Sequence, residues 1–170
     1  MPKGRGGRRY HAPMGSLRAW ESIPGSIAEA LRALGQSDLD RRAATDGMSI
    51  REQVHHIVEA NVVAASIVIA ALGSPGCTYD WSWMMPFGAW LDRLAYREKP
   101  IGPALRVLDA LSVYVVAQLE PLADGLEREV HLRDAPGADL RRVTVAEVLQ
   151  AEVDHAAEHI GEIAKIGERG

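Results

Sequence analysis

The chain has 170 residues, 47% of them hydrophobic but only 5% aromatic, and a formal net charge of −4. That length suits a single domain with a real core, and the Ala- and Leu-rich, aromatic-poor composition leans towards helix. The lone cysteine, Cys77, excludes an internal disulfide and a thiolate metal cluster, and no unbroken apolar run reaches the roughly 18 residues of a membrane span, so a soluble, cytoplasmic chain without a membrane partner is expected.

Residues 1–16 are Gly-rich and basic, lack the apolar segment of a secretory signal, and read as a disordered tail. Lys3, Arg5, Arg8 and Arg9 put four positive charges there, which leaves −8 on residues 17–170, the expected single helical domain. An acidic body is a poor match for a phosphate backbone, and no nucleic-acid partner is expected.

Leu17 to Ile23 reads as a short lead-in. Pro24 and Ser26 then introduce the first helix, with Ile27, Ala30, Leu31 and Leu34 at helical spacing and Gly35 closing it. Ser37 to Asp40 and Thr45-Asp46-Gly47 are turn chemistry. Ser49-Ile50-Arg51-Glu52 is a capping box that opens the second helix, Ile50 to Leu72, whose stripe is Val54, Ile57, Val58, Ala65, Ile69 and Leu72. Gly73-Ser74-Pro75-Gly76 ends it.

From Gly73 to Pro100 the character changes, with Trp81, Trp83, Met84, Met85, Pro86, Phe87 and Trp90 within ten positions and a short helix expected around Ala89 to Tyr96. A connection this long is a crossover or carries function. The third helix runs from Pro103, a good first-turn residue, through Leu108, Ser112 and Val115 to about Leu122. Glu129 to Arg142 is polar and turn-rich. A second capping box, Thr144-Val145-Ala146-Glu147, opens the fourth helix, which extends to about Ile166. The fold class is thus all-α, a four-helix bundle. The long crossover between helices two and three lets those two run parallel.

His155 and His159 lie four residues apart on the fourth helix, a rotation of about 400°, so both imidazoles project from one face. They flank the apolar stripe of Val145, Leu149, Ala156, Ile160 and Ile163. Such a pair can be surface or hydrogen-bonded core, but it can also grip one metal ion. A third nitrogen from His55 or His56 would complete a three-histidine site with open positions, the arrangement of a catalytic rather than a structural metal. Helical phase sets His55 and His56 on opposite flanks of the second helix and slightly prefers His55; a helix covered on two sides would rescue His56.

Two carboxylates are candidates for a general base or for orienting a ligand histidine. Glu59 lies one turn after His56, and Glu152 lies three residues before His155, near the apolar stripe, where an unpaired carboxylate is costly. Either can instead be solvated or paired with a helix-surface cation such as Arg51. Asn61, on the apolar side of the second helix, is a pocket contact or a satisfied core amide. Cys77 has no nearby positive charge to activate it, and His11 and His131 fit no pattern. The Trp-rich crossover either roofs the site or closes the bundle and builds a dimer interface.

The string Ser49-Ile50-Arg51-Glu52-Gln53-Val54-His55-His56-Ile57-Val58-Glu59, followed by His155-x-x-x-His159-Ile160-Gly161, resembles the DinB/YfiT-like superfamily of metalloenzymes over about residues 25–166. The resemblance implies helices in up-down-down-up order, with a His on helix two and an HxxxH on helix four binding zinc, nickel or a similar divalent ion. The family's pattern lands the first ligand on His56, with Ile57 after it and Glu59 as the acid, and the second pair on His155 and His159. Glu162 stands where many relatives carry Gln. Activities implied are S-transfer with a low-molecular-weight thiol cosubstrate such as bacillithiol, thiol-dependent isomerisation and metal-dependent hydrolysis, on a small-molecule substrate and in a homodimer. Three neutral imidazoles would leave the ion its full charge, enough to acidify a ligating water or thiol, and such ligands suit several metals. Thiol-dependent S-transfer is the first expectation and metal-dependent hydrolysis the second. A non-catalytic stress or binding protein is the contrasting class.

Overall fold

The first helix, α1 (Ala12–Leu31), is longer than its sequence suggests. The computed structural model describes residues 12–44, 47–85 and 87–168. The expected tail therefore falls outside the described residues up to residue 11, while 12–16 belong to α1. Pro24 lies inside this helix instead of opening it. Proline removes one amide donor from the helix, but Trp20, Ile23 and Ile27, on both sides of it, are all buried. Burying three large side chains on one stripe outweighs the single missing bond.

Helix α2 (Ile50–Gly73) begins at the expected capping box. The Ser49 hydroxyl accepts from the Glu52 amide, and Glu52 Oε2 accepts from the Ser49 amide at 2.8 Å. Although Glu52 is buried, it also pairs with Arg42 and Arg97, each at 2.7 Å. Burial alone would raise its carboxyl, but Arg97, Ser49 and Arg42 outweigh that and hold it below the usual range. Arg51 pairs with Asp40 at 2.9 Å and donates to the Lys99 carbonyl at 3.2 Å. The start of α2 is thus tied both to the loop before it and to the turn at 96–99. Of the turn expected at 45–47, Thr45 and Asp46 lie outside the described residues.

The crossover contains β1 (Thr78–Asp80) and α3 (Phe87–Leu94), and leads into α4 (Ile101–Leu119). Between α4 and α5 (Val145–Glu168) lie β2 (Glu129–Arg133) and β3 (Arg141–Thr144). This corrects the reading of 129–142 as merely turn-rich. β2 pairs antiparallel with β3 and parallel with β1, so the sheet order is β1-β2-β3. Val130, Leu132 and Val143 are buried while their strand neighbours are not, the alternation of a half-covered strand. The sheet fastens the crossover to the α4–α5 link.

α1, α2, α4 and α5 form the four-helix bundle. Each of α1 and α2 packs against both α4 and α5, so the consecutive helices α1 and α2 lie diagonally. The centre is filled by Ile27, Ile57, Leu108, Val115, Leu149 and Ile163, all nearly or fully inaccessible. Averaged over 18 residues, α2 and α4 are each long and apolar enough to cross a bilayer on composition, with mean hydropathy 1.8 and 1.2; polar positions such as Asn61 and Ser112 break their apolar runs. In this fold they are neighbouring bundle helices.

Replacing Glu52 by Ala removes the return half of the capping box and two ion pairs. The expected loss of stability is about 1–3 kcal/mol, read from urea unfolding, whereas Ser49→Ala should lose only about 1 kcal/mol.

Candidate metal centre

His56 projects from the second turn of α2, while His155 and His159 project from one face of α5. The fold brings the three rings together: their centroids are 4.7–4.8 Å apart, and each pair of rings is nearly perpendicular. His155 Nε2 and His56 Nε2 approach to 2.9 Å. One nitrogen from each histidine lies within 4.8 Å of the other two, so small ring rotations would bring all three to the roughly 2.0–2.1 Å bonds of one ion.

His55 goes elsewhere. Its ring stacks on Tyr96 at 4.7 Å and 13°, with Nε2 3.4 Å from the Lys99 carbonyl. The slight preference of helical phase for His55 is therefore overturned, because α2 is covered on two sides: the 96–99 turn takes His55 and α5 takes His56.

Burial, reinforced by the neighbouring His155 and His159, pushes the His56 pKa down to about 3. Burial and His155 likewise lower His159. His155 is raised instead, chiefly by its hydrogen bond to Glu152, 3.4 Å from Nδ1. That contact turns His155 Nδ1 towards the carboxylate and leaves Nε2 facing the other two rings, as in carboxylate–histidine–metal sites. Glu152 is buried, which raises its pKa, and it accepts from Asn61 Nδ2 at 2.7 Å. Asn61 also donates to the Ile57 carbonyl at 2.8 Å, so this amide is satisfied and is also part of the site. On the far side, the Gln53 amide donates to the His159 carbonyl and to Glu162 Oε2, both at 3.1 Å. Glu162 Oε2 lies 3.6 Å from His159 Nδ1. The donor set fits a divalent ion, with three converging imidazoles, two of them kept neutral by burial and two flanked by carboxylates.

The two candidate acids separate. Glu59 accepts from Trp90 Nε1 at 2.7 Å and does not line the cavity beside the triad, whereas Glu152 does. Arg51 pairs with neither.

The cavity has a volume of about 420 Å³, and His56, Glu152 and His155 form part of its wall. Trp81, Met84 and Met85 of the crossover also line it, so that part of the crossover does roof the site. Trp83 instead is 65% exposed and packs edge-on against Trp90 at 5.2 Å. Leu132, Arg141 and Val143 from the sheet complete the wall, and sequence reasoning missed them. The one signal in the sequence was the alternation Glu129-Val130-His131-Leu132-Arg133, which spans too few residues to stand out. Cys77 and His131 do not line the cavity; His131 donates its amide to the Cys77 carbonyl at 2.8 Å as part of the sheet. His11 lies outside the described residues.

A family model described as the DinB superfamily matches residues 19–163. Among solved structures, the chain is similar to YfiT from Bacillus subtilis, described as a probable metal-dependent hydrolase with an unusual four-helix bundle topology. The two are 20% identical with a TM-score of 0.79, and the match covers 99% of this chain and 93% of that one. A likeness at that identity carries the fold. No curated protein sequence matches significantly.

The depressed pKa of His56 gives the metal-free protein a definite pH dependence. An unfolded histidine takes up a proton near 6.5, whereas folded His56 resists until about 3. The stability this group provides is therefore complete above 6.5 and is lost as pH falls towards 3. Urea unfolding of chelator-treated protein between pH 7 and 4 should show stability falling with pH, and falling less steeply in His56→Gln.

Proposed function

The chain belongs to the DinB superfamily, and from that premise we propose that it is a metal-dependent enzyme whose divalent ion, zinc or nickel, is held by His56, His155 and His159. The observation that carries this reading is the convergence of three imidazole nitrogens within 4.8 Å beside a cavity of small-molecule size. An ion bound there supplies Lewis acidity, which polarises a carbonyl and lowers the pKa of a ligating water or thiol.

The chain's own residues supply the rest. Glu152 both holds His155 by Nδ1 and lines the cavity, and its raised pKa brings it nearer the range where a carboxylate exchanges protons at neutral pH. It serves as the proton acceptor for the attacking nucleophile, and Asn61 fixes one of its oxygens. Glu59, bonded to Trp90, acts on the crossover rather than on the reacting atoms.

Hydrolysis of a small molecule is the reaction this arrangement supports best. A buried acid stands beside the candidate ligands, and the similar structure YfiT is described as a probable metal-dependent hydrolase. Thiol-dependent S-transfer is the second reading, favoured by the same acid, which can accept a thiol proton. The largely apolar wall offers a polar thiol few partners, and that places S-transfer second.

Elemental analysis of untagged, chelator-rinsed and re-loaded protein should give close to one zinc or nickel per chain. The ion should be lost in His56→Ala and His159→Ala and kept in His55→Ala. Wild type that takes up neither metal would sink the catalytic reading and leave a helical binding protein. In Glu152→Gln, the metal should stay while turnover of an activated ester, or of a thiol with a generic electrophile, falls about 10²- to 10⁴-fold.

A further inference from the structure

We infer that the substrate carries a linear apolar chain, which lies in the crevice between α2 and α5 with its reacting group at the histidine triad. The inference rests on the metal-dependent reading and adds to it the class of molecule that the site takes.

The crevice has a direction. On α5 the cavity wall runs from His155 back to Glu147, and on α2 it runs forward from His56 to Ile67. The two ladders leave the histidines in opposite chain directions, as antiparallel helices require. Eight residues on α5 at 1.5 Å each make the groove roughly 12 Å long. Its floor is open because the helices present Ala60, Ala64 and Ala151 to it, and those methyl groups leave room that larger side chains would fill.

Besides the triad-end residues the wall carries three polar groups: the Trp81 indole Nε1, buried with no hydrogen-bond partner among the described residues, and two side chains that are already engaged. Glu147 Oε2 accepts from the Thr144 amide at 2.7 Å and the Thr144 hydroxyl at 3.0 Å. Arg141 pairs with Asp134 at 3.1 Å on the protein surface. Between the ends, a sugar, nucleotide or peptide would shed water and find few partners, a cost of several kcal/mol for each unpaired polar group. An alkyl chain meets a mostly apolar wall, with the Trp81 ring among aliphatic side chains. The two methionines over it, Met84 and Met85, are unbranched and adapt to chains of different length.

The test is displacement of 1-anilinonaphthalene-8-sulfonate fluorescence by primary alcohols from butanol to decanol, using zinc-loaded wild type, Ala60→Phe, Ala64→Phe and His159→Ala. In wild type, the half-displacing concentration should fall up to about fourfold per added methylene and then level off once the chain fills the groove. Ala60 is half-buried and Ala64 buried, so the first phenylalanine is the milder change. In whichever variant keeps its far-UV circular dichroism, the plateau should come at a shorter chain and the longest alcohols should bind at least tenfold more weakly. A wild-type response independent of chain length would overturn the inference, as would an unchanged plateau in a folded variant. His159 lies outside the cavity wall, so His159→Ala should lose the metal and keep the chain-length dependence. Length dependence in wild type that takes up no metal would sink the catalytic reading alone, and metal uptake without length dependence would sink the apolar-chain inference alone.

Discussion

The site depends first on one buried carboxylate. Glu52 closes the capping box on Ser49 and pairs with Arg42 and Arg97, and so fixes where α2 starts and how it is rotated. Successive residues then fall to separate tasks. Gln53 reaches the His159 carbonyl, His55 stacks on Tyr96, His56 joins the triad, and Ala60 and Ala64 open the groove. A one-residue slip would turn each by about 100°, so that His55 took the place of His56, or His56 that of His55. A helix N-terminus is ordinarily a soft place, with orphan amides; here it is held by several partners, and the critical histidine follows within two turns.

Electrostatics works in the opposite sense. Three imidazoles and a carboxyl share a region that burial has partly dried, and each group is shifted in the direction that disfavours its charge, except His155, which Glu152 compensates. Clustering histidines this way costs stability at low pH, because the unfolded chain binds protons that folded His56 and His159 refuse. The same exclusion of protons keeps the nitrogens available as ligands, since a metal competes only with protons already bound. The cluster makes sense as a cost accepted for coordination. An apolar replacement would pack without that penalty.

Much of this was legible in the sequence where local chemistry decides it. Both capping boxes, the extent of α2, and the pairing of His155 with His159 follow from spacing alone. Where tertiary packing decides, the sequence misled. Pro24 reads as a helix start, yet burial of Trp20 and Ile27 carries the helix through it. Phase leans to His55, yet the 96–99 turn covers a second side of α2 and takes that ring. Val130 and Leu132 alternate over too few residues to stand out from polar neighbours, so the sheet, and with it Leu132 and Val143 in the cavity wall, went unread. Of the two acids near histidines, Glu152 already stood out in the sequence by its place near the apolar stripe. Only the fold shows that Glu59 turns to Trp90 and Glu152 into the site.

The crossover explains where this aromatic-poor chain spends its aromatics. Six of its nine Phe, Trp and Tyr residues fall between Tyr79 and Tyr96. A bundle helix is held along its length by its own backbone ladder and an aliphatic stripe, but in this connection β1 and α3 are short, and the rest is fixed by side chains large enough to bury area and carry a polar handle. Trp90 does so by donating to Glu59, Tyr96 by stacking on His55, and Tyr79 by its hydroxyl contact with Ser66. All three anchor points lie on α2, the helix that carries His56. The wall formed by Trp81 and Met84 is therefore referenced to the same element as the first candidate ligand. Groove and triad keep their registry because one helix positions both.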